Sequence, residues 1–150
     1  MKEIDVKTGE MTFGQRIELG QIFAGESSEV EKFEKTFLCL HNFKPRWYNR
    51  KKLMGYFTRI VEGIVFWSEQ EATLLKYEPT PEEVRAGVTQ YTSKIGELGT
   101  IKALAKTYGQ NPDDILLWKY GKVFGILYTD LEEHKYQMRL NKVIEAKYKS

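Results

Sequence analysis

Apolar side chains recur every three to four residues along nearly the whole chain, and no stretch of four or more alternates with period two. That spacing places apolar groups on one face of an α-helix and rarely suits a strand. Behind Thr12, a short helix with Phe13, Ile17 and Phe23 as its apolar residues runs to about Ala24 and stops at Gly25. Ser28 and Glu31 form a capping box ahead of Val30, Phe33, Phe37 and Leu40, which make one stripe. Asn49 caps a long helix to about Lys76, on which Leu53, Phe57, Ile60, Ile64, Trp67 and Leu74 repeat and only Glu71 breaks the pattern.

Thr80-Pro81-Glu82-Glu83 is the clearest start signal, with Thr as cap, Pro in the first helical position and Glu three residues on. Val84, Val88, Tyr91, Ile95 and Leu98 continue its stripe, and Gly96 and Gly99 break or bend the helix before Ile101. A short helix then ends at Gly109, and another spans Asp113 to Trp118. The last helix runs from Tyr120 to Lys147, first with Val123, Phe124, Leu127 and Leu131, then with Tyr136, Leu140, Val143 and Ile144. These two stripes drift around the helix relative to one another. The pattern predicts an all-α fold: one domain over 12–150 of six or seven helices with a long C-terminal helix, preceded by a loose polar arm over 1–11.

Composition narrows the reading. The chain has 150 residues, 41% hydrophobic and 13% aromatic, enough for a packed core. Lys and Arg number 23 against 21 Asp and Glu, a net charge of +2 that gives no field for steering toward nucleic acid. A single cysteine, Cys39, rules out an intramolecular disulfide. The opening MKEIDVKTGE has no apolar run of a secretory signal, and the longest strongly apolar run is Ile64–Trp67. A soluble cytoplasmic protein is the expectation.

Candidate chemistry is sparse. Cys39, His41 and His134 fall short of the four ligands of a closed zinc site, and residues two apart on a helix do not face each other. The paired acids Glu82/Glu83, Asp113/Asp114 and Glu132/Glu133 suit helix starts or polar faces better than acid–base catalysis. Gly121-Lys122 is followed by Val123 where a phosphate loop needs Ser or Thr. No enzyme, metal or cofactor is expected.

Two surfaces remain. The segment Lys44–Lys52 interleaves five basic groups with Trp47 and Tyr48, so Arg46, Trp47 and Tyr48 are candidate partner contacts. On the last helix, Tyr136, Arg139, Leu140 and Val143 combine the residue types that anchor protein interfaces. Residues 101–118 also have the offsets of a helix-turn-helix, with Ala105 at the crossing, Gly109 in the turn and Ile115 facing back. Against duplex reading, Asp113 and Asp114 stand at the end that would approach phosphates.

Lys102–Gly109, Asn111–Trp118, Tyr120–Phe124 and the patch Tyr136-Gln137-Met138-Arg139-Leu140 together resemble small helical proteins of phage and prophage tail modules, including tail assembly chaperones. The resemblance implies a non-catalytic chaperone or adaptor. It would bind another tail protein, such as the tape measure, through helix faces, in the host cytoplasm or as part of the virion. It leaves room for a homo-oligomer and none for a membrane. The alternative is a DNA-binding regulator using residues 101–118.

Overall fold

A computed structural model describes residues 3–45 and 49–148. Among the described residues there are eight helices: α1 Phe13–Ala24, α2 Glu29–His41, α3 Arg50–Leu74, α4 Pro81–Arg85, α5 Val88–Ile95, α6 Glu97–Tyr108, α7 Pro112–Leu116 and α8 Tyr120–Tyr148. The all-α architecture and the long last helix agree with the periodicity. No strand is present among the described residues; one isolated antiparallel bridge joins Thr12 to Lys119.

The helix starts are set locally. Thr12, Ser28 and Thr80 each accept from the backbone amide three residues on, and Gln15, Glu31 and Glu83 reach back to complete capping boxes. Asn49 and Asn111 cap α3 and α7 through their side-chain oxygens. Gly109 ends α6 in the left-handed region at φ 60°, a conformation that costs a residue with a Cβ.

Two expectations along the middle of the chain need correction. The helix after Thr80 is not continuous: α4 has five residues and α5 restarts at Val88. The break before α6 falls at Gly96 alone, and Gly99 lies inside α6.

The core is built on α3. Its Leu53, Phe57, Ile60, Ile64 and Trp67 are all buried, as their spacing implies. Phe57 meets Phe23 of α1 and Phe33 of α2, and Trp67 meets Tyr120 and Phe124 of α8. Ile101, Leu104 and Ala105 of α6 and Ile115 of α7 complete it. Val30, counted in the α2 stripe, is 70% exposed, because the first turn of α2 extends past this packing.

The arm is packed rather than loose. Val6 and Met11 are buried, and the Val6 carbonyl accepts from the Trp67 indole N–H at 2.7 Å. The Ile4 amide donates to the Tyr56 hydroxyl at 3.0 Å. Further on, the Tyr120 amide donates to the Met11 carbonyl and the Phe13 amide to the Trp118 carbonyl, each at 2.8 Å. Gly9 lies against Gly121 so closely that a Cβ on Gly9 would stand 2.6 Å from the Gly121 nitrogen. The arm therefore straps the N-terminal end of α8 to α3. At the far end of α8 every residue from Asn141 to Tyr148 is exposed.

Candidate functional site

The first stripe of α8 belongs to the core. Val123 is fully buried, Phe124 and Leu127 pack against the core, and Leu131 is half-buried. The second stripe does not. Tyr136 is 53% exposed, Val143 56% and Ile144 42%, with Leu140 half-buried among them. At 3.6 residues per turn, the centre of this second stripe lies roughly 135° around α8 from the midpoint of Val123 and Leu127. The fold packs the first stripe, and most of the distal apolar residues are turned away from that packing.

Arg139 stands at the edge of that face. It lines a cleft with Tyr77, Glu78, His134 and Met138, where the α3–α4 connection crosses α8. The Tyr77 ring lies 5.8 Å from the His134 ring, and Lys135 pairs with Glu132 at 2.8 Å. The structure therefore brings Tyr136, Leu140 and Val143 onto one face and Arg139 to its border. Arg46, Trp47 and Tyr48 lie outside the described residues.

A set of apolar residues read from the sequence as one stripe is divided among three helices, with Val84 on α4, Tyr91 on α5 and Leu98 on α6. Val84 is 56% exposed, Tyr91 65% and Leu98 72%, and neither α4 nor α5 has a buried residue. Periodicity shows that one side of a helix is apolar; it does not say that its own chain covers that side.

The helix-turn-helix offsets hold as packing. Ala105, Leu104 and Ile115 are buried where α6 and α7 meet, and Gly109 makes the turn. The second helix, however, has only five residues, about 7.5 Å of helix, before the chain turns through Leu117 and Trp118 into α8. Asp113 and Asp114 occupy its first turn and are exposed.

A polar cluster between helices was foreshadowed by Glu71, the residue out of step in α3. Its carboxylate accepts from Arg16 Nε at 3.0 Å and from a second Arg16 nitrogen at 2.8 Å, and from the Tyr120 hydroxyl at 2.6 Å. Arg16 also sits over the Tyr120 ring. Burial, and then the Glu71 carboxylate, hold the Tyr120 phenol well above its ordinary pKa. This cluster floors an open cleft of about 440 Å³ that Ile17, Gly20, Leu75 and Leu127 also line. Its charges satisfy one another, so the arrangement ties α1, α3 and α8 together and presents no unpaired base or nucleophile.

Cys39 and His41 do not act on each other. The thiol lies 3.9 Å from the Gln15 carbonyl, and burial, with Glu18 nearby, pushes its pKa up to about 12. A thiol so protonated is a poor nucleophile. His41 Nε2 lies 3.1 Å from the Tyr56 hydroxyl, and burial lowers its pKa. Among the described residues, no three His, Cys, Asp or Glu side chains gather as metal ligands, and no helix is long and apolar enough to cross a membrane. No protein-family model, no curated protein and no solved structure matches the chain.

Proposed function

We propose that this chain is a non-catalytic binding module, a chaperone or adaptor that holds another protein against its helix faces. The observation that carries the reading is the exposed apolar face of α8, Tyr136, Val143 and Ile144 at helical spacing, beside the exposed Val84, Tyr91 and Leu98 of α4, α5 and α6. Contiguous exposed apolar surface of this kind marks interaction sites in soluble folds. Tyr136, Leu140 and Val143, with Arg139 at the rim, supply the apolar centre and charged edge of such a surface. The resemblance of residues 102–140 to phage tail-module proteins points to a tail protein, such as the tape measure, as the partner.

The short α7 with two exposed carboxylates weighs against the alternative of a duplex-reading regulator. A five-residue helix offers little length to lie in a major groove, and its acidic first turn repels phosphates.

Co-expression with a tape-measure protein from the same genome tests the proposal. The expected result is a complex that survives gel filtration and a higher soluble yield of the tape measure, both lost in Tyr91→Asp with Leu98→Asp or in Leu140→Glu. A tape measure whose solubility and elution ignore the chain would count against the reading.

A further inference from the structure

We infer that the cleft over Arg16, Glu71 and Tyr120 is a binding site for a small uncharged amide with an apolar body, whose carbonyl oxygen accepts a hydrogen bond from Arg16 Nη1. The inference goes beyond the binding of a partner protein and uses no residue of the distal α8 face.

Arg16 carries the argument. Its Nε and Nη2 donate to the Glu71 carboxylate at 3.0 Å and 2.8 Å, and Nη2 also reaches Ser68 Oγ at 3.4 Å. Nη1 makes no hydrogen bond to any described residue, although the Arg16 side chain is only 12% exposed. Gly20 stands beside it, about one turn further along α1. A Cβ on Gly20 would lie 3.3 Å from Nη1 and would meet nothing else within 4 Å beyond its chain neighbours and the local helix backbone. Glycine weakens a helix interior relative to alanine, and no close approach of another element asks for it here. Its missing side chain leaves Nη1 open to the cleft, which both residues line.

The other walls set the class of ligand. The volume of about 440 Å³ suits a small molecule, and Phe13, Ile17, Leu75 and Leu127 make the walls largely apolar. Burial against them holds an apolar body, and Nη1 orients a single acceptor. That acceptor is uncharged. The Arg16 charge is already matched by Glu71, and Glu97 adds a second carboxylate to the lining. An anion there would gain little from Arg16 and would be repelled by Glu97. Gln21 and Thr100 also line the cleft and carry oxygens able to accept from a ligand N–H, which fits the ligand as a secondary amide.

Titration of the isotope-labelled wild type with N-benzylacetamide, followed by two-dimensional NMR, provides the test. Backbone signals should shift and saturate with a dissociation constant of about 1 mM, an ordinary value for a probe of this size. The shifts should centre on Arg16, Gly20, Glu97 and Tyr120. Phenylacetate, with the same ring and a carboxylate in place of the amide, should bind about 5-fold more weakly or worse. Gly20→Ala should weaken the amide by about 5-fold, the loss of one hydrogen bond, and should melt no lower than the wild type. The phenylacetate comparison needs no variant, so it decides whatever Gly20→Ala does to folding. No saturable shift up to about 10 mM, shifts centred elsewhere, phenylacetate binding as tightly as the amide, or a folded Gly20→Ala that binds unchanged would each overturn the site. None of these outcomes bears on tape-measure capture, which is read on α8.

Discussion

Replacing the buried Gly9 with alanine should destabilise the protein. Gly9 sits at φ 77°, where a side chain costs about 1 kcal/mol. The added Cβ would also stand 2.6 Å from the Gly121 nitrogen and 2.8 Å from its Cα, both backbone atoms at the start of α8. Overpacking of that kind costs about 1–3 kcal/mol, because backbone rather than a flexible side-chain tip must move. Together the terms come to about 3 kcal/mol, which for a chain of this size lowers the melting temperature by about 6–12 °C. Thermal melting followed by circular dichroism measures it. Gly125→Ala serves as the control: Gly125 lies within α8 with nothing within 4 Å of its would-be Cβ, so alanine there should stabilise by about 0.5–1 kcal/mol. A Gly9→Ala protein melting within about 2 °C of the wild type would refute the docking of the arm onto α8.

Two further outcomes follow from the polar contacts. Tyr120→Phe removes the 2.6 Å bond to Glu71 and leaves the Arg16 pair in place; urea unfolding should show a loss of about 1.5–3 kcal/mol, and a loss under about 0.5 would mean the bond is not formed. His41 should titrate by NMR below 6.5, because burial disfavours its charged form. Its folded pKa is depressed, so the stability it contributes is present above the unfolded value and is lost as pH falls through the folded one. The stability–pH curve should therefore flatten between pH 6.5 and the lower folded value in His41→Gln, and an unchanged curve would contradict the burial argument.

Helix starts were legible in the sequence because capping is local: Thr12, Ser28, Asn49, Thr80 and Asn111 each act within three residues. The α3 stripe was legible for a related reason, since five of its regular apolar positions are buried. The arm was not. Its buried residues, Val6 and Met11, have no helical spacing, and what orders them is a meeting with Trp67 and Gly121 far along the chain. The restart of helix at Glu97 was missed because Gly96 and Gly99 are equivalent as letters, while only Gly96 takes a positive φ. Glu71 was visible as an irregularity, but its partners Arg16 and Tyr120 come from other helices, and no spacing rule connects them. At the candidate interface, the drift between the two α8 stripes was readable, and the divergence of their faces follows from it. Val84, Tyr91 and Leu98 show the limit of such reading: their even spacing suggests one face, but the breaks at Gly87 and Gly96 put them on three helices.

The account stands most directly on Leu140, the half-buried centre of an otherwise exposed face. The deciding measurement pairs two readings on Leu140→Glu: melting temperature, and association with a tape-measure protein. The account predicts a melting temperature lowered by no more than about 4 °C, about 1 kcal/mol for a half-buried side chain, together with loss of association. A sharply lowered melting temperature with association intact would place Leu140 in the core and contradict the claim that this face of α8 is built to meet another chain.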